Sequence, residues 1–106
     1  MSKVYMLTFD DLARPRDALL RFIDSRPEVS NWHASTLHNL VLIVSDRSGE
    51  ELTNLLRERM GMDTFMLIEV DSEMVGRQIH GWLPESTWAF IREKPTQPEL
   101  RLTTSS

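Results

Sequence analysis

Leu40-Val41-Leu42-Ile43-Val44 is an unbroken apolar run, rich in β-branched side chains and bounded by polar residues. It is too short for most helices and lacks the polar alternation of a strand with one wet face. It therefore reads as a central strand covered on at least one face. The rest of the chain has to supply that cover.

Lys3 to Phe9 is a second strand-like stretch of apolar and aromatic residues, closed by the carboxylate pair Asp10-Asp11. Pro15 then stands where the first turn of a helix tolerates proline, and Ala18, Leu19, Phe22 and Ile23 recur at three- and four-residue steps. This predicts an amphipathic helix ending near Ser25, broken by Arg26-Pro27. Val29 to Ser35, containing Trp32, reads as a strand paired with the Leu40 run through a turn near His38-Asn39. Ser48 followed by Glu51 forms a capping box, and Leu52, Leu55, Leu56 and Met60 carry the helical period up to Gly61. Thr64 to Val70 is again strand-like, and Pro84 opens a last helical segment bearing Trp88 and Ile91.

The order is strand, helix, strand, strand, helix, strand, then a helical extension. It predicts an α+β, ferredoxin-like βαββαβ sandwich: an antiparallel sheet with its first and third strands central and two helices on one face. The second face then needs cover, from the chain's own C-terminal segment or from another copy, so a homodimer is expected. Residues 1–93 are read as one domain and 94–106, which lack apolar period, as a mobile tail.

A chain of 106 residues is long enough for one modest core, and 41% hydrophobic content supplies it. The net charge of −4 argues against a uniformly basic nucleic-acid-binding surface, so any such site must be a local patch. Without cysteine there is neither a disulfide framework nor thiolate chemistry, which suits the cytoplasm. Met1-Ser2-Lys3 runs straight into strand-like residues, without the apolar run of a signal peptide or membrane span, and no membrane association is expected.

Chemistry is sought first at Asp10 and Asp11. Two carboxylates at a strand end can donate oxygens to Mg²⁺ or Mn²⁺, which then activates water or steadies a phosphate. The other reading is that one of them accepts backbone N–H groups in the turn before Pro15. Arg14 and Arg16 stand close in sequence and can clamp a phosphate through their forked guanidinium groups, or simply be a solvated helix end. His33, His38 and His80 match no zinc-motif spacing. No P-loop, nucleophile-elbow or dinucleotide glycine pattern occurs, which disfavours ATPase, serine hydrolase and dehydrogenase chemistry. Met6 and Met66 lie inside strands and are assigned to core filling or an interface, and Trp82 and Trp88 to docking the C-terminal segment. Glu69, Asp71 and Glu73 alternate and are read as one exposed face.

Phe9-Asp10, Asn31-Trp32-His33, Leu40 to Ser45 leading into Ser48 and Glu51-Leu52, Met66 to Val70, and Gly81-Trp82-Leu83-Pro84 with Trp88 carry a resemblance across Val4 to Ile91. The chain resembles the short bacterial SinR-like proteins, related in fold to the small ferredoxin-like subunit of the CRISPR spacer-acquisition complex. It departs from them in having Leu40 where the group carries a second hairpin aromatic. The resemblance implies a dimer associated with nucleic-acid metabolism, either a metal-dependent nuclease or a pure scaffold. In the nuclease case Asp10 is the metal ligand and catalytic residue, a cation sits between the two Asp10 side chains, and Arg14 or Arg16 touches the nucleic-acid backbone. A second reading, from a different class and favoured by the net acidity and the lack of a tight catalytic constellation, is a non-enzymatic homodimeric interaction module.

Overall fold

The computed structural model describes residues 2–10 and 16–95. Their elements follow the order β1 (Lys3–Phe9), α1 (Arg16–Asp24), β2 (Asn31–Ala34), β3 (Leu40–Ser45), α2 (Gly49–Glu58), β4 (Phe65–Val70), a short 3₁₀ turn (Ser72–Met74) and α3 (Glu85–Glu93). The four strands form one antiparallel sheet in the order β2-β3-β1-β4. The architecture is thus α+β, with an open four-stranded antiparallel sheet and three helices, and β1 and β3 are the central strands. Asp11 and Arg14, and the stretch from residue 96 onward read as a tail, lie outside the described residues.

Register fixes which side chains share a face, because residues directly opposite on paired strands point the same way. Tyr5 pairs with Ile43 and Leu7 with Val41, and these four project toward α1 and α2. There they meet Leu19 and Ile23 of α1 and Leu52, Leu55 and Leu56 of α2 in the larger core. Val4 pairs with Val44 and with Val70, and Met6 with Leu42 and Ile68; these line the opposite face. All six residues of β3 are buried, so the apolar run is covered on both sides.

The cover on the second face is α3. Phe90 and Ile91 pack with Val4, Leu42, Val44 and Val70 in a second core cluster, with Trp88 and Met6 against its margin. His33 of β2 ties the helix down: its Nε2 lies 3.0 Å from the Thr87 hydroxyl, and its ring stacks on Phe90 with 5.3 Å between centroids. Past the helix, Asn31 Nδ2 donates to the Pro95 carbonyl at 3.1 Å. The helical extension is therefore a third layer of the domain.

Local signals set most boundaries. At the start of α2 the Ser48 side chain accepts from Glu51 N–H while the Glu51 carboxylate accepts from Ser48 N–H, so the capping box forms as expected. The helix stops three residues short of Gly61, which at φ 79° turns the chain so that Met62 N–H reaches the Leu56 carbonyl. The strand expected from Val29 begins at Asn31, because Val29 N–H is held by the Arg26 carbonyl in a turn.

Two expectations need correction. Trp82 does not dock the C-terminal segment: it is 97% exposed, standing out from the connection between β4 and α3, and only Trp88 packs. The run Glu69, Asp71, Glu73 is not one alternating face, because Asp71 has left the strand and caps the 3₁₀ turn by accepting from Glu73 N–H.

Candidate functional site

Because β1 is central and antiparallel to both neighbours, its C-terminal end is flanked by the starts of β3 and β4. Asp10, one residue past β1, is exposed there. Phe9 N–H bonds the Asn39 carbonyl at 3.2 Å on one side, and Phe9 pairs with Phe65 on the other. The result is an open cleft of about 470 Å³ lined by Thr8, Phe9, Asp10, Asn39, Thr64, Phe65 and Met66.

Among the described lining residues the polar groups are one carboxylate, one carboxamide and two hydroxyls, the hard oxygen donors that suit Mg²⁺ or Mn²⁺. Asp10 is the single carboxylate among these described lining residues, so such a site would need further ligands beyond them. No group of three or more His, Cys, Asp or Glu placed to hold a metal occurs among the described residues. Asn39 and Thr64 were not singled out by sequence reasoning. Neither type is distinctive in a turn, and both come to line the same cleft as Asp10 only through strand pairing.

Arg16, the first residue of α1, donates from Nη2 to the Ser35 carbonyl at 2.8 Å, anchoring the helix start to the end of β2. Of the residues expected at a metal or nucleic-acid site, Asp10 lines the cleft and Arg16 has this structural bond. The histidines serve separate places: His33 bridges β2 to α3, and His80 Nε2 sits 3.1 Å from the Arg77 carbonyl.

The second feature is apolar. α3 covers the second sheet face over β2, β3 and β1 but leaves the outer part of β4 open. Met66 is 57% and Ile68 42% exposed on that face, beside half-buried Met6. Core filling therefore does not account for Met66. Sequence reasoning missed the asymmetry because Phe65-Met66-Leu67-Ile68 is apolar at every position and so suggests cover on both faces.

Among the described residues, three ionisable groups outside the cleft are perturbed. Burial pushes the Tyr5 phenol up, with the Glu69 and Glu51 charges adding to it, while its hydroxyl donates to the Arg47 carbonyl at 2.7 Å. The hydrogen bonds from Arg26, at 3.1 Å to each oxygen, hold the Glu28 carboxyl below the usual range. Ser48 N–H does the same for Glu51. None of the three is among the described residues that line the cleft.

Among the described residues no helix is long and apolar enough to cross a membrane. Neither protein-family models, nor curated proteins, nor solved structures match this chain.

Proposed function

We propose that this protein is a non-enzymatic homodimeric interaction module, a ferredoxin-like sandwich that associates through the part of its sheet that α3 leaves open. The observation that carries the reading is the exposure of Met66 and Ile68 side by side on one face of β4. Adjacent exposed apolar residues on an ordered strand, unlike scattered ones, mark a surface that a partner covers. The strand order β2-β3-β1-β4, with α1 and α2 packed on one face, supports the ferredoxin-like plan. A cysteine-free chain of net charge −4 suits work in the cytoplasm and protein partners better than duplex nucleic acid.

The test is the molar mass in solution, by light scattering behind size exclusion over a range of concentrations. A dimer mass that reverts to monomer in Met66→Lys/Ile68→Lys, with unchanged circular dichroism, supports the module. A wild-type protein that stays monomeric throughout overturns it.

A second reading is favoured by the oxygen donors around Asp10: a weak Mg²⁺- or Mn²⁺-dependent nuclease, in line with the resemblance to SinR-like proteins. Asp10 would hold the cation, with Asp11 beside it in sequence, and Arg14 and Arg16 would contact phosphate. Cleavage of labelled RNA and DNA, single- and double-stranded, that appears with Mn²⁺ and disappears in a folded Asp10→Ala variant would favour this reading. Equal inertness of both proteins on every substrate removes it.

A further inference from the structure

Resting on the homodimer reading above, we propose that two copies pair β4 to β4 about a two-fold axis centred on Leu67, joining their sheets into one eight-stranded antiparallel sheet. The sheet has two edges. The β2 edge is only four residues long, and α3 is fastened over its face through His33 and Asn31. The β4 edge is six residues long, pairs with β1 one-to-one from Phe65 to Val70 without a bulge, and holds neither proline nor lysine. Glu69 is its single charge. Edge strands that stay unpaired are normally shortened, bulged or charged, because their free N–H and C=O groups recruit other strands. β4 has almost none of these defences.

Self-pairing also selects its own register. Directly opposed residues share a face, so the axis must pass through a residue rather than between two. Centred on Glu69, it would set the two carboxylates against each other; centred on Met66, it would set Glu69 against Asp63 of the second copy. Centred on Ile68, it would place Met66 against Val70, which is already buried under α3. Centred on Leu67, it sets exposed Met66 against exposed Ile68 of the second copy, twice, and Glu69 against Phe65. Asp63 and Asp71 then meet only at the ends, where Asp71 has already turned away to cap the 3₁₀ turn. Like charges are kept off the ladder and each exposed apolar side chain finds another.

The chain has no cysteine, so introduced thiols report without ambiguity. Opposed Cα atoms in an antiparallel pair lie about 4.5–5.5 Å apart, within disulfide reach. Under mild oxidation Leu67→Cys should convert to a covalent dimer, whereas Glu69→Cys, offset from its own copy by four residues or about 13 Å, should not. Leu67 packs partly against the larger core, so a mixture of the single variants Met66→Cys and Ile68→Cys, both at exposed positions, supplies a second measurement. The mixture should cross-link several-fold more than either variant alone. If wild type is dimeric but neither Leu67→Cys nor the mixture cross-links preferentially, the β4 pairing is overturned while the homodimer stands. If wild type is monomeric, both fall, and a strand from a different protein becomes the occupant to seek.

Discussion

Truncating Ile91 tests whether α3 is an integral layer of the domain. Ile91 is fully buried against Val4, Leu42, Val44 and Val70. Ile91→Ala removes three carbons at roughly 0.8 kcal/mol each, about 2.4 kcal/mol of transfer free energy. The void between two ordered layers adds to this, giving a loss of about 3 kcal/mol, inside the range of about 2–5 kcal/mol for such truncations. Against a total of about 5–15 kcal/mol for a domain of this size, that is a large fraction. It corresponds to a melting temperature lower by more than about 10 °C. The matched control is Trp82→Ala, which deletes a larger side chain that is 97% exposed and should cost under about 0.5 kcal/mol. Urea unfolding followed by circular dichroism, at one protein concentration for all variants, measures both. A cost below about 1 kcal/mol for Ile91→Ala, or a larger cost for Trp82→Ala than for Ile91→Ala, would refute the three-layer account.

Ser48→Ala removes the acceptor for Glu51 N–H and should cost about 1 kcal/mol in the same assay, with Ser48→Asp retaining most of the stability. Tyr5 is the sole tyrosine, so its ultraviolet titration is unambiguous, and the midpoint should lie above the ordinary value of about 10. A folded pKa raised above the unfolded one means that this contribution is complete below about pH 10 and is lost as pH rises through the folded value. Tyr5→Phe should abolish that part of the alkaline destabilisation. For Glu28 the sign is opposite: its depressed pKa stabilises the fold above the ordinary value of about 4.3, and the contribution is lost as pH falls through the folded value. Arg26→Gln should therefore be less stable than wild type at neutral pH and converge with it in acid, as followed by urea unfolding across that window.

Much of the fold was legible because its signals are local. The Leu40 run, the Ser48–Glu51 box and the apolar steps of α1 and α2 each specify an element through residues a few positions apart. The ends of β1 and β3 fall within a residue of those expected. Where a boundary moved, as at Val29, a turn hydrogen bond competed with the strand ladder. For the candidate site, Asp10 could be named because carboxylates at a strand end are distinctive. Asn39 and Thr64 could not be, because only the pairing of β3 and β4 on either side of β1 brings them there.

What the sequence by itself determined is the four strands and three α-helices, their order and the presence of apolar faces, since these depend on periodicity and on short-range hydrogen bonding. Tertiary structure alone decided which apolar surface stays wet. Trp82 and Ile91 are both apolar; one stands in solvent on the connection between β4 and α3, and the other is sealed where α3 packs on Val4, Leu42 and Val44. Likewise Met6, Met66 and Ile68 share a face with Val4 and Val70, and their different exposure follows from the reach of a nine-residue helix. Burial depends on what distant segments cover, and no pattern within a strand encodes the length or placement of the layer above it.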